Sequence, residues 1–389
     1  MNAYIHHIAT LAAPFVYRQD TIRERMMGWT SDERHRRLLS ALYKRSGIET
    51  RHSVLESFFE TGGHGLFQPD GGGRPGNPGT AERNARYAKA SRDMAEEVAR
   101  RALHGSGYQA SDITHVIYVT CTGFVNPGPE LHLVESLGMN PGVERYTLGF
   151  MGCYAAFPAL RMASQFCAAC EDAVVLVVCL ELCTLHLQLE DKPDVMLANS
   201  LFADGAAAAL VTAHSPAKEI PAYSLDGFTS ELVPSGAAHM AWDIGNHGFE
   251  IKLSSYVPEI LGAEMQTLMT RVLGKHHCTP ADIAEWAVHP GGRAILDKVE
   301  QGLQLPYTAL ASSRRVLRNH GNMSSATVLF VLKDLLGTPT QATGPTCAMA
   351  FGPGLTVEVA LLERLGCKPV HRATENTALQ TLHDSTLHG

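Results

Sequence analysis

Leu148-Gly149-Phe150-Met151-Gly152-Cys153-Tyr154-Ala155-Ala156-Phe157-Pro158-Ala159-Leu160-Arg161 is the stretch that decides the fold, because the chain repeats its pattern. A short apolar segment ends in Gly152, a cysteine follows, and an alanine-rich helical pattern runs on to Cys170. A thiol in the first turn of a helix sits at the positive end of the macrodipole, which favours thiolate over thiol. The small residues around it let backbone and substrate approach closely. At an offset of 169 residues, Gly321-Asn322-Met323-Ser324-Ser325-Ala326 opens another helical pattern in the same way. A second landmark has nearly the same spacing. Ala110-Ser111-Asp112-Ile113 opens one apolar strand, and 170 residues later Pro280-Ala281-Asp282-Ile283 opens Trp286-Ala287-Val288-His289. Each follows a long amphipathic helix. Two landmarks at nearly one offset mark an internal duplication of a strand-helix unit. The expected organisation is an α/β chain of two halves, 1–220 with the cysteine and 221–389 with His289 and Asn322.

The repeat has a chemical consequence. If the halves pack as a pseudo-twofold pair, Cys153 and Asn322 face each other from equivalent helix starts, with His289 on the strand-end loop before the second. A nucleophile, a base and an amide donor then converge from distant positions in the chain.

Working outward, a strand is expected over 4–15 and helices over 21–30 and 32–45, the second broken by Ser46-Gly47-Ile48-Glu49-Thr50-Arg51. A Gly- and Pro-rich surface loop spans 62–79, and an amphipathic helix 80–103. The run 115–120 reads as a buried strand ending in Cys121-Thr122-Gly123, followed by a short helix over 129–137. Continuous apolar runs at 173–178 and 206–211 suit a sheet covered on both faces. A more alternating strand lies at 223–232, a long helix at 256–275, and a polar, loosely ordered tail after Gly366.

Composition narrows the function classes. The 389 residues are 45% hydrophobic and 18% charged, as in a well-packed globular protein. A net charge of −7 argues against a general nucleic-acid or anionic-membrane binder. No apolar run is long enough to span a bilayer, and the N-terminus lacks the basic region of a signal peptide. Nine cysteines are too sparse for a disulfide scaffold, so free thiols in a reducing cytoplasm are expected. Cys167-Ala168-Ala169-Cys170 is a lone pair inside an apolar helical pattern and reads as core packing. The nineteen histidines form no His-Glu-x-x-His pattern, and no metal site is expected.

Further motifs join Gly152-Cys153. They are Ala198-Asn199-Ser200-Leu201-Phe202-Ala203-Asp204-Gly205-Ala206, Ala287-Val288-His289-Pro290-Gly291-Gly292-Arg293-Ala294-Ile295-Leu296-Asp297, Asn319-His320-Gly321-Asn322-Met323-Ser324-Ser325-Ala326, and a loop Ala350-Phe351-Gly352-Pro353-Gly354-Leu355-Thr356-Val357-Glu358. Together and in this order, they resemble type III polyketide synthases, the chalcone-synthase-like branch of the thiolase superfamily. The resemblance implies a thiolase-like five-layered αβαβα fold and a homodimer. It implies that Cys153 takes a starter acyl group from an acyl-CoA, and that His289 keeps it as thiolate in an ion pair. With Asn322, His289 would hold the malonyl-CoA thioester during decarboxylation, two neutral donors stabilising the enolate without protonating it. No metal or organic cofactor is implied, since loss of CO2 drives each condensation.

The resemblance also assigns Phe202 to the junction of cavity and tunnel and the Phe351-Gly352 loop to the cavity wall. Arg45 falls at a basic contact to coenzyme A phosphates. A further basic residue expected one turn on is Glu49 here, and Arg51 is a candidate to compensate. Relative to the plant enzymes, Ile251 replaces a bulky aromatic gatekeeper, Cys121 and His186 stand for threonines, and Trp242 for a small residue. The run Glu181-Leu182-Cys183-Thr184-Leu185-His186-Leu187-Gln188 is similar to bacterial members that extend long fatty acyl starters into alkylresorcinols or alkylpyrones, and that is the expected chemistry. Its rivals are a β-ketoacyl-ACP synthase III-like condensing enzyme and a non-catalytic acyl-CoA binder of the same fold. In the first, an Ala-Asn pair typically follows the histidine, where this chain has Pro290-Gly291-Gly292.

Overall fold

The computed structural model describes residues 3–30, 32–56, 65–67, 76–340 and 343–366. Most of the loop expected over 62–79 and the whole tail after Gly366 lie outside them. The first half contains β1 (Ala3–Ala12), β2 (Phe15–Arg18), α1 (Gln19–Trp29), α2 (Glu33–Arg45), β3 (Thr50–Ser53), α3 (Thr80–Ser106), β4 (His115–Thr120), α4 (Pro129–Leu137), β5 (Glu144–Gly149), α5 (Ala156–Ala169), β6 (Val174–Leu182), α6 (Pro193–Leu201) and β7 (Asp204–Thr212). The second contains β8 (Ala222–Leu232), β9 (Met240–Gly245), β10 (Gly248–Leu253), α7 (Val257–Gly274), β11 (Glu285–Val288), α8 (Arg293–Gly302), α9 (Ala311–His320), α10 (Thr327–Gly337), β12 (Thr346–Gly352) and β13 (Thr356–Leu365).

The duplication is written in the sheet. Among the described residues its strand order is β11-β12-β13-β8-β1-β7-β6-β4-β5. Read outward from the central antiparallel β1–β8 pair, β7, β6 and β4 on one side match β13, β12 and β11 on the other. Both series run antiparallel, antiparallel, then parallel. The landmark turns agree. Ala110–Asp112 and Pro280–Asp282 are each one turn of 3-10 helix, closed by Asp112 accepting from Gln109 N and Asp282 from Thr279 N, both at 2.8 Å.

Layering follows from the period of two along each strand. Val175, Val177 and Cys179 of β6 face a central core with α5 and α10, while Val174, Leu176, Val178 and Leu180 face an outer core with α3. In β12, Ala348 and Ala350 point to the same central core, and Cys347, Met349 and Phe351 to the outer core of α7 and α8. The result is helix, sheet, helix, sheet, helix: an α/β thiolase-like fold. Alanines on both partners of the central layer, such as Ala207 and Ala209 of β7 and Ala156, Ala159 and Ala163 of α5, let helix and sheet approach closely.

Two local expectations change. The segment 350–358, expected as a loop, is the end of β12, a tight turn over Pro353–Leu355 and the start of β13. Its small and apolar residues are buried on both faces, which is why the sequence shows no alternation. The hairpin β9–β10 was not expected. It is a two-stranded sheet by itself, with Trp242 opposite Ile251. In the lone Cys pair, Cys167 is in the central core and Cys170 is exposed at the end of α5.

Candidate active site

Cys153 lies on a turn between β5 and α5, three residues before the helix begins. The chain reaches it through two left-handed residues, Phe150 at φ 63° and Gly152 at φ 83°. Such backbone persists where the surroundings over-determine it. Here Phe150 is packed among Phe124 and Phe249, with ring centroids 5.5 and 5.4 Å away. Only glycine fits at 152, since a Cβ there would lie 2.5 Å from Pro353 Cδ.

His289 follows β11, and its N–H donates to Met349 O at 2.8 Å. The ring is buried, and neither nitrogen has a hydrogen-bond partner among the described residues. Asn322 follows Gly321, itself left-handed at φ 73°. Its Oδ1 accepts from Ser324 N at 2.9 Å, as in a helix cap, and its Nδ2 donates to Gly291 O at 3.2 Å. The cap fixes the amide's orientation: the oxygen is occupied by backbone and the NH2 end is turned to the cavity. Cys153, His289 and Asn322 line one cavity of about 330 Å³.

Burial works against the thiolate–imidazolium pair that the resemblance implies. Burial pushes the Cys153 thiol up to about 11, and the Glu181 carboxylate adds to the rise; contacts from Ser324 and Asn322 oppose it. Burial alone takes the His289 imidazole down to about 3. The helix itself begins only at Ala156, so Cys153 stands before its first turn. Both directions favour the neutral thiol and the neutral imidazole over the charged pair. A raised thiol pKa means the proton is held to higher pH, so thiolate is scarce at neutrality. Carbamidomethylation of the Cys153 peptide by iodoacetamide should climb roughly tenfold per pH unit between pH 7 and 9. A rate already level at pH 6–7 would show the ion pair instead.

Phe202, Cys121, Trp242, Ile251 and Phe351 line the same cavity, and so does Arg45. Cys121 ends β4; its N–H donates to Glu181 at 2.9 Å and its carbonyl accepts from Trp242 Nε1 at 2.7 Å. His186 stands outside this cavity, on a small pocket of about 30 Å³ that shares Cys183, Phe202, Trp242 and Ile251 with it. It lies behind Trp242, stacked on Phe249 at 4.1 Å, with Nε2 donating to Thr122 O at 2.7 Å and Nδ1 accepting from Phe249 N at 3.0 Å. Both bonds need a neutral ring, and burial holds its pKa at about 4. Gly352 is not a lining residue either: a Cβ there would lie 2.5 Å from the Tyr154 ring, so its place is to seat the residue that follows Cys153.

Arg51 cannot compensate at the mouth, because it is 3% exposed and bonded to backbone carbonyls. The cation beside Arg45 is Arg293, exposed at the start of α8 with its stem against Gly47. Arg293 stands in the motif that follows His289, but sequence reasoning gave it no role. It also passed over Glu181, a carboxylate in the otherwise apolar run of β6, which is a legible signal. Glu181 is fully buried and accepts from Cys121 N, Thr122 Oγ1 and Ser325 Oγ. Ser324, left-handed at φ 46°, has its hydroxyl 3.3 Å from the Cys121 sulfur.

Comparison with known proteins matches two family models, "Chalcone and stilbene synthases, N-terminal domain" over residues 3–215 and "Chalcone and stilbene synthases, C-terminal domain" over residues 225–366. The chain is 32% identical over 287 residues to "Probable polyketide synthase 1" of Dictyostelium discoideum, a match covering 72% of this chain and only 9% of that much longer protein. It is 29% identical over 373 residues to "Alpha-pyrone synthesis polyketide synthase-like Pks18" of Mycobacterium tuberculosis, covering 93% of this chain and 91% of the relative. Among solved structures, polyketide synthase PKS-I of the brown alga Ectocarpus siliculosus is similar with a TM-score of 0.86 at 26% identity, covering 94% of this chain and 98% of that one. The 1,3,6,8-tetrahydroxynaphthalene synthase of Streptomyces coelicolor is similar with a TM-score of 0.82 at 28% identity, covering 93% and 99%.

Proposed function

The chain belongs to the chalcone and stilbene synthase family of type III polyketide synthases, enzymes of the acyltransferase kind, and on that premise we propose that it condenses a long-chain fatty acyl-CoA with several malonyl-CoA units and cyclises the product to an alkylpyrone or alkylresorcinol. The observation that carries the reading is the convergence of a thiol, an imidazole with both nitrogens free and an amide with its donor end turned inward. Cys153 Sγ attacks the starter thioester carbonyl while His289 takes its proton. Collapse of the tetrahedral intermediate expels the coenzyme A thiolate, which recovers that proton, leaving acyl-Cys153 and a neutral imidazole. Malonyl-CoA then loses CO2, and its electron pair becomes an enolate held by the His289 N–H and Asn322 Nδ2. The enolate carbon attacks the acyl-Cys153 carbonyl, the thiolate departs, and a β-ketoacyl-CoA forms.

Support for a long starter comes from the apolar arm of the cavity: Leu38 and Leu42 of α2, Leu197 of α6, Met240 and Leu253 of the hairpin, and Val257 of α7. Trp242, backed by the stacked His186–Phe249 pair, fills another part of the wall. The likeness to a relative named for alpha-pyrone synthesis supports the pyrone. Mass spectrometry of products from C2 to C22 acyl-CoA starters with malonyl-CoA tests the reading. Alkylated tri- or tetraketide products from long starters are expected. Products built from malonyl units alone overturn the long-chain reading, and absence of both CO2 release and acylation with every starter favours a binder over an enzyme.

Arg45 and Arg293 are read as contacts for the coenzyme A phosphates. Arg45→Ala with Arg293→Ala should raise KM for acyl-CoA by about tenfold, leave kcat within about twofold, and flatten the salt dependence of KM. An unchanged KM contradicts this role. We assign the halves 1–220 and 221–389 as the units that bring Cys153 against His289 and Asn322, and infer a cytoplasmic homodimer. The edge position of β5 in the sheet supports the dimer. Among the described residues no helix is long and apolar enough to cross a membrane.

A further inference from the structure

Arg51 is a buried cation in β3 that does not line the main cavity, and the mechanism above does not use it. Its Nη1 donates to Asn199 O at 2.7 Å and to Phe202 O at 2.8 Å. Those carbonyls close the C-terminal turn of α6, where backbone acceptors lack helical partners and the dipole is negative. Tyr43 supports the same turn: its hydroxyl donates to Asn199 O at 3.0 Å, and the guanidinium lies 5.6 Å from its ring centroid. Arg51 Nε and Nη2 have no hydrogen bond among the described residues, so the two Nη1 bonds are the guanidinium's contribution to the fold.

The Asn322 backbone hangs on the segment that leaves α6. Asn322 N donates to Leu201 O at 2.9 Å, and its carbonyl accepts from Ala203 N at 2.8 Å. Gly321 fits into the same joint: a Cβ there would lie 3.0 Å from both Arg51 Cγ and Leu201 O. The Asn322 backbone is thus held by Leu201–Ala203, and those residues are anchored by Arg51. Small displacements matter here, since moving a catalytic group by about 1 Å costs about a hundredfold in rate.

We propose that Arg51 is a positioning residue, which sets the Asn322 amide by pinning the end of α6 to which the Asn322 backbone is paired. The proposal rests on the reading of Asn322 as an enolate donor. Lysine keeps the charge but cannot reproduce one planar nitrogen shared between two carbonyls. Arg51→Lys should therefore lower kcat for malonyl-CoA decarboxylation by about 10- to 100-fold, with KM within about twofold because the mouth is untouched.

The deciding experiment is a double-mutant cycle on decarboxylation: wild type, Arg51→Lys, Asn322→Ala and the double variant, each checked for folding by circular dichroism. If Arg51 acts through Asn322, the double variant is no slower than Asn322→Ala alone. Equal losses from Arg51→Lys in both backgrounds, or an unchanged kcat in the wild-type background, overturn the proposal. Wild-type decarboxylation by Asn322→Ala overturns instead the reading of Asn322. Should Arg51→Lys not fold, Tyr43→Phe replaces it in the same cycle, with a loss of a few-fold in kcat that vanishes on Asn322→Ala; no loss, or a loss that persists, refutes the anchor.

Discussion

Alanine at position 153 removes polyketide formation with every starter, a loss of at least about a thousandfold in kcat/KM, because no other group can carry the acyl chain through condensation. Two further thiols, Cys121 and Cys183, line the same cavity and are the obvious substitutes. Burial pushes both well above the ordinary thiol range, with Glu181 adding to the rise in each. Cys121 is also tied through its sulfur to Glu181 and Ser324. Neither stands on a strained turn that thrusts the side chain into the cavity, as Cys153 does after Phe150 and Gly152. Glutamine at 153 should abolish condensation yet leave decarboxylation of malonyl-CoA, since the His289 and Asn322 donors are untouched. Product from Cys153→Ala at more than about 1% of the wild-type rate contradicts the assignment.

His289 separates two jobs that the ring performs. In the proposed mechanism it takes the Cys153 proton as a base and, as a neutral N–H donor, helps to hold the enolate. Loss of one such donor from a pre-organised site typically costs 10²- to 10³-fold. His289→Ala should lower decarboxylation by about that factor and abolish measurable acylation of Cys153 at pH 7. His289→Gln keeps a neutral donor without a base, so it should recover much of the decarboxylation while acylation stays slow. Raising the pH then restores acylation, because the thiol with its pKa near 11 loses its proton without help as the medium becomes more basic. Equal recovery, or equal loss, of both steps in His289→Gln contradicts the division.

Much of this was legible in one dimension where sequence pattern and fold share a cause. The apolar runs of β4, β6 and β7 are continuous because both faces of the sheet are covered. The Asp112 and Asp282 turns repeat because each caps the entry to an equivalent strand. Cys153 and Asn322 echo each other because both follow a left-handed glycine at the same point of the duplicated unit. The place of α5 in the central layer shows in the alanines that let it approach β7 closely.

The illegible part depends on contacts between distant segments. His186 and Trp242 have the same standing in the sequence, yet the unexpected β9–β10 hairpin puts the indole on the cavity and the imidazole behind it. Arg51 is the phosphate ligand that sequence position suggests beside Arg45, and Arg293 is the one that the structure puts there. Only the packing of α6 against β3 makes one a buried backbone anchor, while the other stays exposed at the mouth beside Asp297. The upward push on the Cys153 thiol comes from burial and from Glu181, which lies 28 residues further along the chain. A helix start alone suggested the opposite sign.

The most direct test of the account is to trap the loaded enzyme. The protein is incubated with a long-chain acyl-CoA without malonyl-CoA, quenched in acid, digested and mapped by mass spectrometry. The account predicts one acyl group on the peptide bearing Cys153, lost on later addition of malonyl-CoA and absent from Cys153→Ala. Acylation at Cys121 or Cys183, or an acyl group on Cys153 that malonyl-CoA does not discharge, contradicts it.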